Sequence, residues 1–370
     1  MSNYNGVIAP SLAVEFFVSS AWTAASSDDI LEIYIRRGRQ QYDTLNEAGT
    51  AGIVFNNLSG KYDPDNTSSV WSPNLKAGLQ MRIRATWSST AYTIYQGFLE
   101  SSSVNQGFYP TVTMNFVDGL GYIADATAPV LASLQYQETA ATRVGRMLDY
   151  AGWSATARSL TGTVTLQKTV QGRSCLVMIN QAVNAIAGRF YISKSGVATL
   201  VPLADKFSRP TQLLFSDQND ANSVDYDGLV VDPGTYYVVN QAIVNRGANA
   251  NISSTYNPSV TSYGIVSKTF DAPILNSTSA TNLALYESRQ WATPATYAKQ
   301  VDFSALYLGA LNPDFLNCEI GDQVSVKRRT YDNRNLQYNL VIEGMVHKIT
   351  PDDWRVTFHT SPINPYSITI

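Results

Sequence analysis

The chain has 370 residues, 44% of them hydrophobic and only 15% charged, with a formal net charge of −3. That length allows two or three domains with sizeable cores. With so little charge the polar surface must come from Ser, Thr, Asn, Gln and 22 tyrosines, which suits surfaces buried in assembly or surfaces that bind sugars. Slight acidity, with Arg36-Arg37-Gly38-Arg39 and Lys327-Arg328-Arg329 as the basic runs, argues against sequence-specific nucleic-acid binding, and no apolar run approaches the ~18 residues of a membrane span.

Residues 11 to 125 read mostly as strands. Alternation is clear in Val14-Glu15-Phe16-Phe17-Val18 and in Leu31-Glu32-Ile33-Tyr34-Ile35, and Gly49 to Phe55 forms a further strand. Asn56 to Gly60 is a loop and Asp63-Pro64-Asp65-Asn66 a turn, with Tyr62 and Trp71 placed to anchor them. The character changes near residue 126. Glu138 to Tyr150 is helical by spacing, with Val144, Met147, Leu148 and Ala151 on one face and Gly152 at its end. Ser174 to Ala187 is a second helix, and Phe190–Ser193 with Val197–Val201 form a hairpin. Strands resume at Tyr236–Val239 and Ala242–Val244. A long polar loop is expected over Asn245 to Tyr263, a helix over Ser279 to Trp291, and strands again between residues 300 and 360.

One pattern is written twice. Gly78 precedes Leu79–Arg84, then Ile94–Leu99 with Gly97, then Thr111–Phe116. Gly321 precedes Asp322–Lys327, then Val341–Val346 with Gly344, then Trp354–Phe358. Each is a short β-meander with glycine at matching points. The expected fold class is therefore mainly β with an α/β insert, two related β-barrel domains making a pseudo-duplicated ring subunit. The expected domains are residues 1–125, an N-terminal barrel; 126–232, the α/β insert; and 233–370, a C-terminal barrel with one helix and a long polar loop. A ring of such subunits holds twice as many barrels as chains, a means of joining assemblies of different symmetry.

Residues with catalytic chemistry are sparse. A nucleophile–histidine site would have to use His347 or His359, both in expected strands and with no supporting motif. Asp63 with Asp65, Asp217 with Asp220, and Asp352 with Asp353 are the carboxylate pairs, each in a turn-forming stretch. Asp63-Pro64-Asp65-Asn66 resembles a calcium loop only faintly, lacking its central Gly and closing Glu. Neither a phosphate-binding nor a dinucleotide loop is present. Trp71, Trp87, Trp153, Trp291 and Trp354 are scattered singly, as packing residues are. Two cysteines, Cys175 and Cys318, exclude a disulfide framework and read as buried free thiols, with a single bridge as the alternative, and the N-terminus Met1-Ser2-Asn3-Tyr4 carries no secretory signal. The chain is expected to be no enzyme, with no cofactor and no metal.

Several motifs in order carry a family resemblance. They are Ile33 to Arg39 with Arg37 and Gly38; Gly49 to Asn66 with Asn57, Gly60, Tyr62, Asp63, Pro64 and Asn66; then Pro73, Leu75, Gly78, Arg82, Gly97 and Asp118-Gly119-Leu120. They continue with Thr142-Arg143 to Ala151-Gly152-Trp153, with Ser262-Tyr263-Gly264, and with Val341–Gly344 to Ile349-Thr350-Pro351-Asp352-Asp353-Trp354. Together they cover most of the chain, which resembles the minor tail, or tail hub, proteins of siphophages, especially those of actinobacterial hosts. Phe55 stands where an aliphatic residue is common, and Lys61 where Arg is usual.

Such proteins are similar to the baseplate hub of contractile-tailed phages. The resemblance implies a homotrimeric ring of two-barrel subunits with pseudo-sixfold symmetry. That ring seats on a hexameric distal tail ring, leads to a threefold tip, and lines or gates the DNA channel. Implied partners are the distal tail protein, the tape measure protein, other tail-tip or fibre proteins, and passing DNA bound without specificity. The implied location is the virion tail tip, after synthesis in the host cytoplasm. Two other readings are a hexameric distal tail adaptor, for which one module would suffice, and a glycan-binding or hydrolytic tip protein. Motif residues expected to shape the fold or its contacts are those named above with Gly264, Gly321, Asp322, Gly344, Pro351 and Trp354. The loops Gly60–Asn66 and Asn245–Tyr263 are expected at ring contacts.

Overall fold

The computed structural model describes residues 9–40, 47–130, 133, 136–169, 172–218, 220–234 and 237–363. It is mainly β. The chain begins with β1 (Ser11–Val18), β2 (Ala21–Ala24), β3 (Ile30–Gly38), β4 (Glu47–Asn56), β5 (Gln80–Trp87), β6 (Thr90–Asn105) and β7 (Thr111–Val117). Alternation gives each long strand one core face. In β1 and β3 that face is Leu12, Val14 and Phe16, and Ile33 and Ile35, all buried.

The middle of the chain holds α1 (Gly119–Asp125), β8 (Glu138–Thr139), α2 (Ala140–Tyr150), β9 (Arg158–Leu160), β10 (Thr165–Leu166), α3 (Cys175–Ala185), β11 (Arg189–Ile192), β12 (Ala198–Val201) and α4 (Asp205–Ser208). Helix α2 starts where the Thr139 hydroxyl accepts the Thr142 N–H at 3.2 Å. It ends before Gly152, whose φ of +69° suits a residue without a Cβ.

The remainder contributes β13 (Thr211–Ser216), β14 (Gly228–Asp232), β15 (Gln241–Asn245), β16 (Ile252–Thr255), α5 (Asn257–Tyr263), β17 (Ser267–Asp271), α6 (Ser277–Gln290), β18 (Tyr297–Ser304), α7 (Asn312–Asn317), β19 (Gln323–Arg329), β20 (Asn335–Ile349) and β21 (Trp354–Pro362).

A 13-stranded sheet runs β14-β18-β21-β20-β3-β4-β7-β6-β5-β1-β2, with β19 branching from β20 and β13 pairing with β19. Strand β20 is the joint. Its first half pairs with β19, and its second half pairs with β21 on one edge and with β3 on the other, from Gly344↔Gly38 to Ile349↔Ile33. Among the described residues these pairings trace a path with ends and one branch. Aromatic contacts join strands that are not neighbours in the sheet. Phe16 of β1 lies 6.1 Å from Phe55 of β4, and Phe215 of β13 lies 5.0 Å from Phe303 of β18.

Both expected meanders are present. Gly78 donates to the Leu99 carbonyl and Leu99 donates to Leu79, each at 2.8 Å. In the second, Gly321 donates to the Ile342 carbonyl at 2.8 Å and Ile342 donates to Asp322 at 2.9 Å. Gly78 and Gly321 hold φ of +87° and +95°, so both need glycine. A bulge follows at the same place in each, between Leu99 and Ser101 and between Ile342 and Gly344. The second glycines do not coincide: Gly97 lies before its bulge and Gly344 at the end of its own.

The buried hydrophobic residues gather in two cores. One core combines the sheet residues from Leu12 to Phe116 with those from Leu213 to Phe358. The other gathers α1, α2, α3, β11 and β12 with Val244, Ala272, Ile274, Ala280, Leu283 and Ala284. Strands β13 and β14, expected in the insert, join the large sheet because their partners β19 and β18 lie far along the chain. Conversely β15 and α6, expected in the C-terminal barrel, pack with the helical layer.

The expected polar loop Asn245–Tyr263 contains β16 and α5. Pro258 sits in the first turn of α5, where its missing N–H costs nothing, and Gly264 caps the other end at φ +72°. Of the expected strand Tyr236–Val239, Tyr236 lies outside the described residues, and only Val239 forms a bridge, to Trp291. No helix among the described residues is long and apolar enough to cross a membrane.

Candidate functional site

The densest polar constellation lies where β20 and β3 meet the α/β layer. Glu343 occupies the β20 bulge, and its side chain is 2% exposed. Arg39 and Arg189 reach its two carboxylate oxygens at 2.8 and 2.7 Å, and the Ser361 hydroxyl donates at 2.5 Å. Burial works against this charge. The cations Arg189, Arg39 and Lys206 outweigh it, holding the Glu343 carboxyl down to about 2. Burial also pushes Lys206 down to about 8, with Arg189 adding to the shift.

A second knot sits beside it. Buried Arg37 of β3 donates to the Ile192 carbonyl at 2.9 Å and to Glu319 at 2.6 Å. Glu319 also accepts the Lys194 N–H at 2.8 Å, so the β11–β12 hairpin is tied to both halves of the sheet. Arg209 bridges Asp205 at 2.6 Å and Asp322 at 2.7 Å. Burial raises the Asp322 carboxyl above its ordinary range despite Arg209. A cavity of about 160 Å³ opens beside these groups, lined by Arg39, Lys206, Lys268, Glu287 and Glu343 among others.

The glycines make these contacts possible. A Cβ on Gly38, which has φ +77°, would stand 2.3 Å from the Glu343 carbonyl oxygen. One on Gly344 would stand 2.4 Å from the Arg39 carbonyl oxygen. At Gly321 the nearest atoms are guanidinium nitrogens of Arg189 and Arg209, at 3.0 and 3.3 Å. Arg37, Gly38, Gly321, Asp322 and Gly344 are thus brought together from opposite ends of the chain.

The other motif residues build separate pieces of scaffold. Asp118 caps α1, accepting from Leu120 at 2.9 Å and from Gly49 at 2.8 Å, and burial raises its carboxyl to about 7. Gly119 lies flat against Trp153, where a Cβ would be 2.1 Å from the ring. Gly97 sits under Tyr95 and the Val117 carbonyl. Arg82 pairs with Glu15 and lies 4.4 Å over the Trp22 ring. Trp354 is buried and donates to Nδ1 of His347 at 3.3 Å. His347 is a core histidine, pushed down to about 3 by burial, Arg37 and Lys194. Pro351 is exposed in the β20–β21 turn.

The Gly60–Asn66 loop is anchored by its aromatic residue. Tyr62 is fully buried, stacked on Phe55 at 4.3 Å, and its hydroxyl donates to Asp29 at 2.9 Å. Asn57 accepts the Tyr62 N–H at 2.9 Å, Asn66 donates to the Gly60 carbonyl at 2.9 Å, and Asp63 accepts from Asp65 at 3.0 Å; Pro64 is exposed. The tyrosine therefore pins the loop to its own core. Tyr62→Phe should cost about 1–2 kcal/mol in a denaturation midpoint and leave oligomeric state unchanged. Tyr263, by contrast, is 48% exposed beside exposed Ile265 and Val266.

The carboxylate pairs are occupied structurally. Asp217 accepts the Arg329 N–H at 3.1 and 3.0 Å, and Asp220 accepts from Ser216 at 2.8 Å and pairs with Lys327 at 3.2 Å, which ties β13 to β19. Among the described residues no group of three or more His, Cys, Asp or Glu side chains is placed to hold a metal ion. Glu343, Glu319, Arg189, Lys194 and Arg209 were not singled out from sequence. For Glu343 a signal was available: a lone acid inside the apolar run Val341-Ile342-Glu343-Gly344-Met345-Val346, where burial without a cation would be costly.

The fold is that of phage tail proteins. A tail protein of Neisseria meningitidis MC58 matches over 96% of this chain and 97% of its own, with TM-score 0.67 and 12% identity. The 43 kDa tail protein of prophage MuSo2 from Shewanella oneidensis matches over 95% and 97%, with TM-score 0.62 and 8% identity. A prophage tail protein of Listeria monocytogenes EGD-e matches over 95% of each chain, with TM-score 0.53 and 10% identity. No protein-family model matches the chain. No curated protein matches it in sequence.

Proposed function

We propose that this chain is the hub protein of a long-tailed phage tail, acting by assembly and without chemistry. Three copies form a ring of pseudo-sixfold symmetry. The ring seats on a hexameric distal tail ring, leads toward a threefold tip, and lines or gates the channel through which DNA passes. Distal tail protein, tape measure protein and tip or fibre proteins are its partners, and the virion tail tip is its place after synthesis in the host cytoplasm.

The observation that carries this reading is repetition of strand order. One half of the sheet is ordered β3-β4-β7-β6-β5-β1 and the other β14-β18-β21-β20-β19-β13. Taken in chain order, each strand of the first set has its counterpart in the second, with the same neighbours. The first meander glycines Gly78 and Gly321, the bulges and the Phe16–Phe55 and Phe215–Phe303 pairs fall at corresponding places. One departure exists: β1 pairs antiparallel with β5, whereas β13 pairs parallel with β19. We read the two halves as one barrel-like module duplicated in the chain.

A hexameric adaptor needs only one such module per chain, so duplication favours the trimer. The charged joint at Glu343 and Arg37 then fixes the angle between modules, and the glycines there let the strands close. Exposed Tyr263, Ile265 and Val266 are carried forward as a contact for neighbouring tail proteins. Image averages of assembled protein test this. The proposal expects a ring of six lobes that repeats in threes, and a ring of six identical chains would overturn it.

A further inference from the structure

The seam between the two halves is itself a template. Within the chain, the second half of β20 uses its free edge to pair with β3. The counterpart of β20 is β6, and the counterpart of β3 is β14. Among the described residues, β6 has no strand partner beyond Phe98 on its β5 side, and β14 ends the sheet with β18 as its one partner. Two open edges therefore remain, at the positions that correspond to the two strands of the internal seam.

The register follows from the ladders. The bulges align Ser101 with Gly344. Their partners in β7 and β21 are Asn115 and His359, and the next partners, in β4 and β18, are Gly52 and Gln300. One strand further stand Tyr34 and Val230. The same offset places Gly38 on Gly234, and both have positive φ, +77° and +74°. The internal pairs Arg36↔Val346 and Tyr34↔Lys348 then become Asp232 opposite Ser103, and Val230 opposite Asn105.

We infer that the chain joins a second copy of itself by antiparallel pairing of β14 with residues 101–105 of β6, in this register; the inference rests on the duplicated-ring reading. The edges suit the contact. Val230 is 47% exposed, and β14 carries no charge before Asp232, although open edges are ordinarily blunted by charge, proline or a covering element. Ser101, Ser102 and Ser103 are exposed and small, so a neighbouring strand meets no bulky side chain. The contact is head-to-tail, since each copy offers one edge of each kind, and it closes after three copies when this contact and the internal seam each turn the module by a sixth of a full rotation.

Paired cysteines test it. Arg39 donates to the Glu343 carbonyl at 2.9 Å, so by alternation Arg36↔Val346 is a non-hydrogen-bonded pair. Its counterpart, Ser103 with Asp232, should bring Cα atoms to ~4.5 Å, within disulfide reach. Oxidised S103C/D232C should run as a covalent trimer on a non-reducing gel. A mixture of the two single variants should stop at dimers. V230C/N105C is an independent second pair, and native Cys175 and Cys318 are buried and do not compete. Native mass is read on the same samples. A trimer that neither pair cross-links overturns the edge pairing and leaves the ring reading standing. A monomer overturns the ring reading, and this inference with it.

Discussion

Glu343→Ala should lower stability by about 3–5 kcal/mol, measured by urea denaturation at neutral pH. The side chain is 2% exposed and accepts from Arg39, Arg189 and Ser361. Removing it leaves two guanidiniums with an uncompensated charge in a buried place, which costs far more than the pair's net worth. The effect also has a pH signature. The carboxyl is held at about 2, below its ordinary 4.5. A depressed carboxylate contributes stability that is complete above the ordinary value and lost as pH falls toward the folded one. The gap between wild type and variant should therefore be constant above about pH 4.5 and shrink toward pH 2. A gap that does not change with pH would show that the carboxylate's charge plays no part.

Gly38→Val should be at least as damaging, by about 3 kcal/mol or more, and should act on the seam between the halves. Its φ of +77° is unfavourable for a β-branched residue, and the added Cβ would meet the Glu343 carbonyl at 2.3 Å. The Cβ position is set by the backbone and the carbonyl oxygen is itself backbone, so no rotamer change relieves the clash. Hydrogen exchange should rise selectively over residues 344–349, the part of β20 that pairs with β3. Equal loss of protection throughout the sheet would indicate global unfolding and no weakness of the seam.

Much of the fold was legible because alternation and helical spacing are local signals. β1, β3, β5, β7, β19 and β21 lie where apolar residues alternate, and α2, α3 and α6 where they recur at helical spacing. The repeated meander was visible too, because glycine with positive φ leaves a mark in sequence. What escaped was long-range. Nothing local to Leu213 or Leu229 says that its strand pairs with β19 or β18 and not with the insert. Helix α5 was hidden by its polar composition, since Ser259 earns its buried place through hydrogen bonds with Asn240 and the Ala292 carbonyl.

The charged joint was half legible for the same reason. Its glycines and Arg37 stood out in motifs, whereas Arg189, Lys194 and Arg209 reach it from the α/β layer. Tyr62 was legible as an anchor: a lone large aromatic in a polar, irregular loop has the core as its place, and its ring stacks inward on Phe55.

The central claim is a threefold ring built from duplicated modules, and native mass at micromolar concentration tests it most directly. The account predicts a trimer, three times 40.5 kDa. A hexamer of the same chain would contradict it, placing one chain at each of the six positions that two modules per chain are here taken to fill.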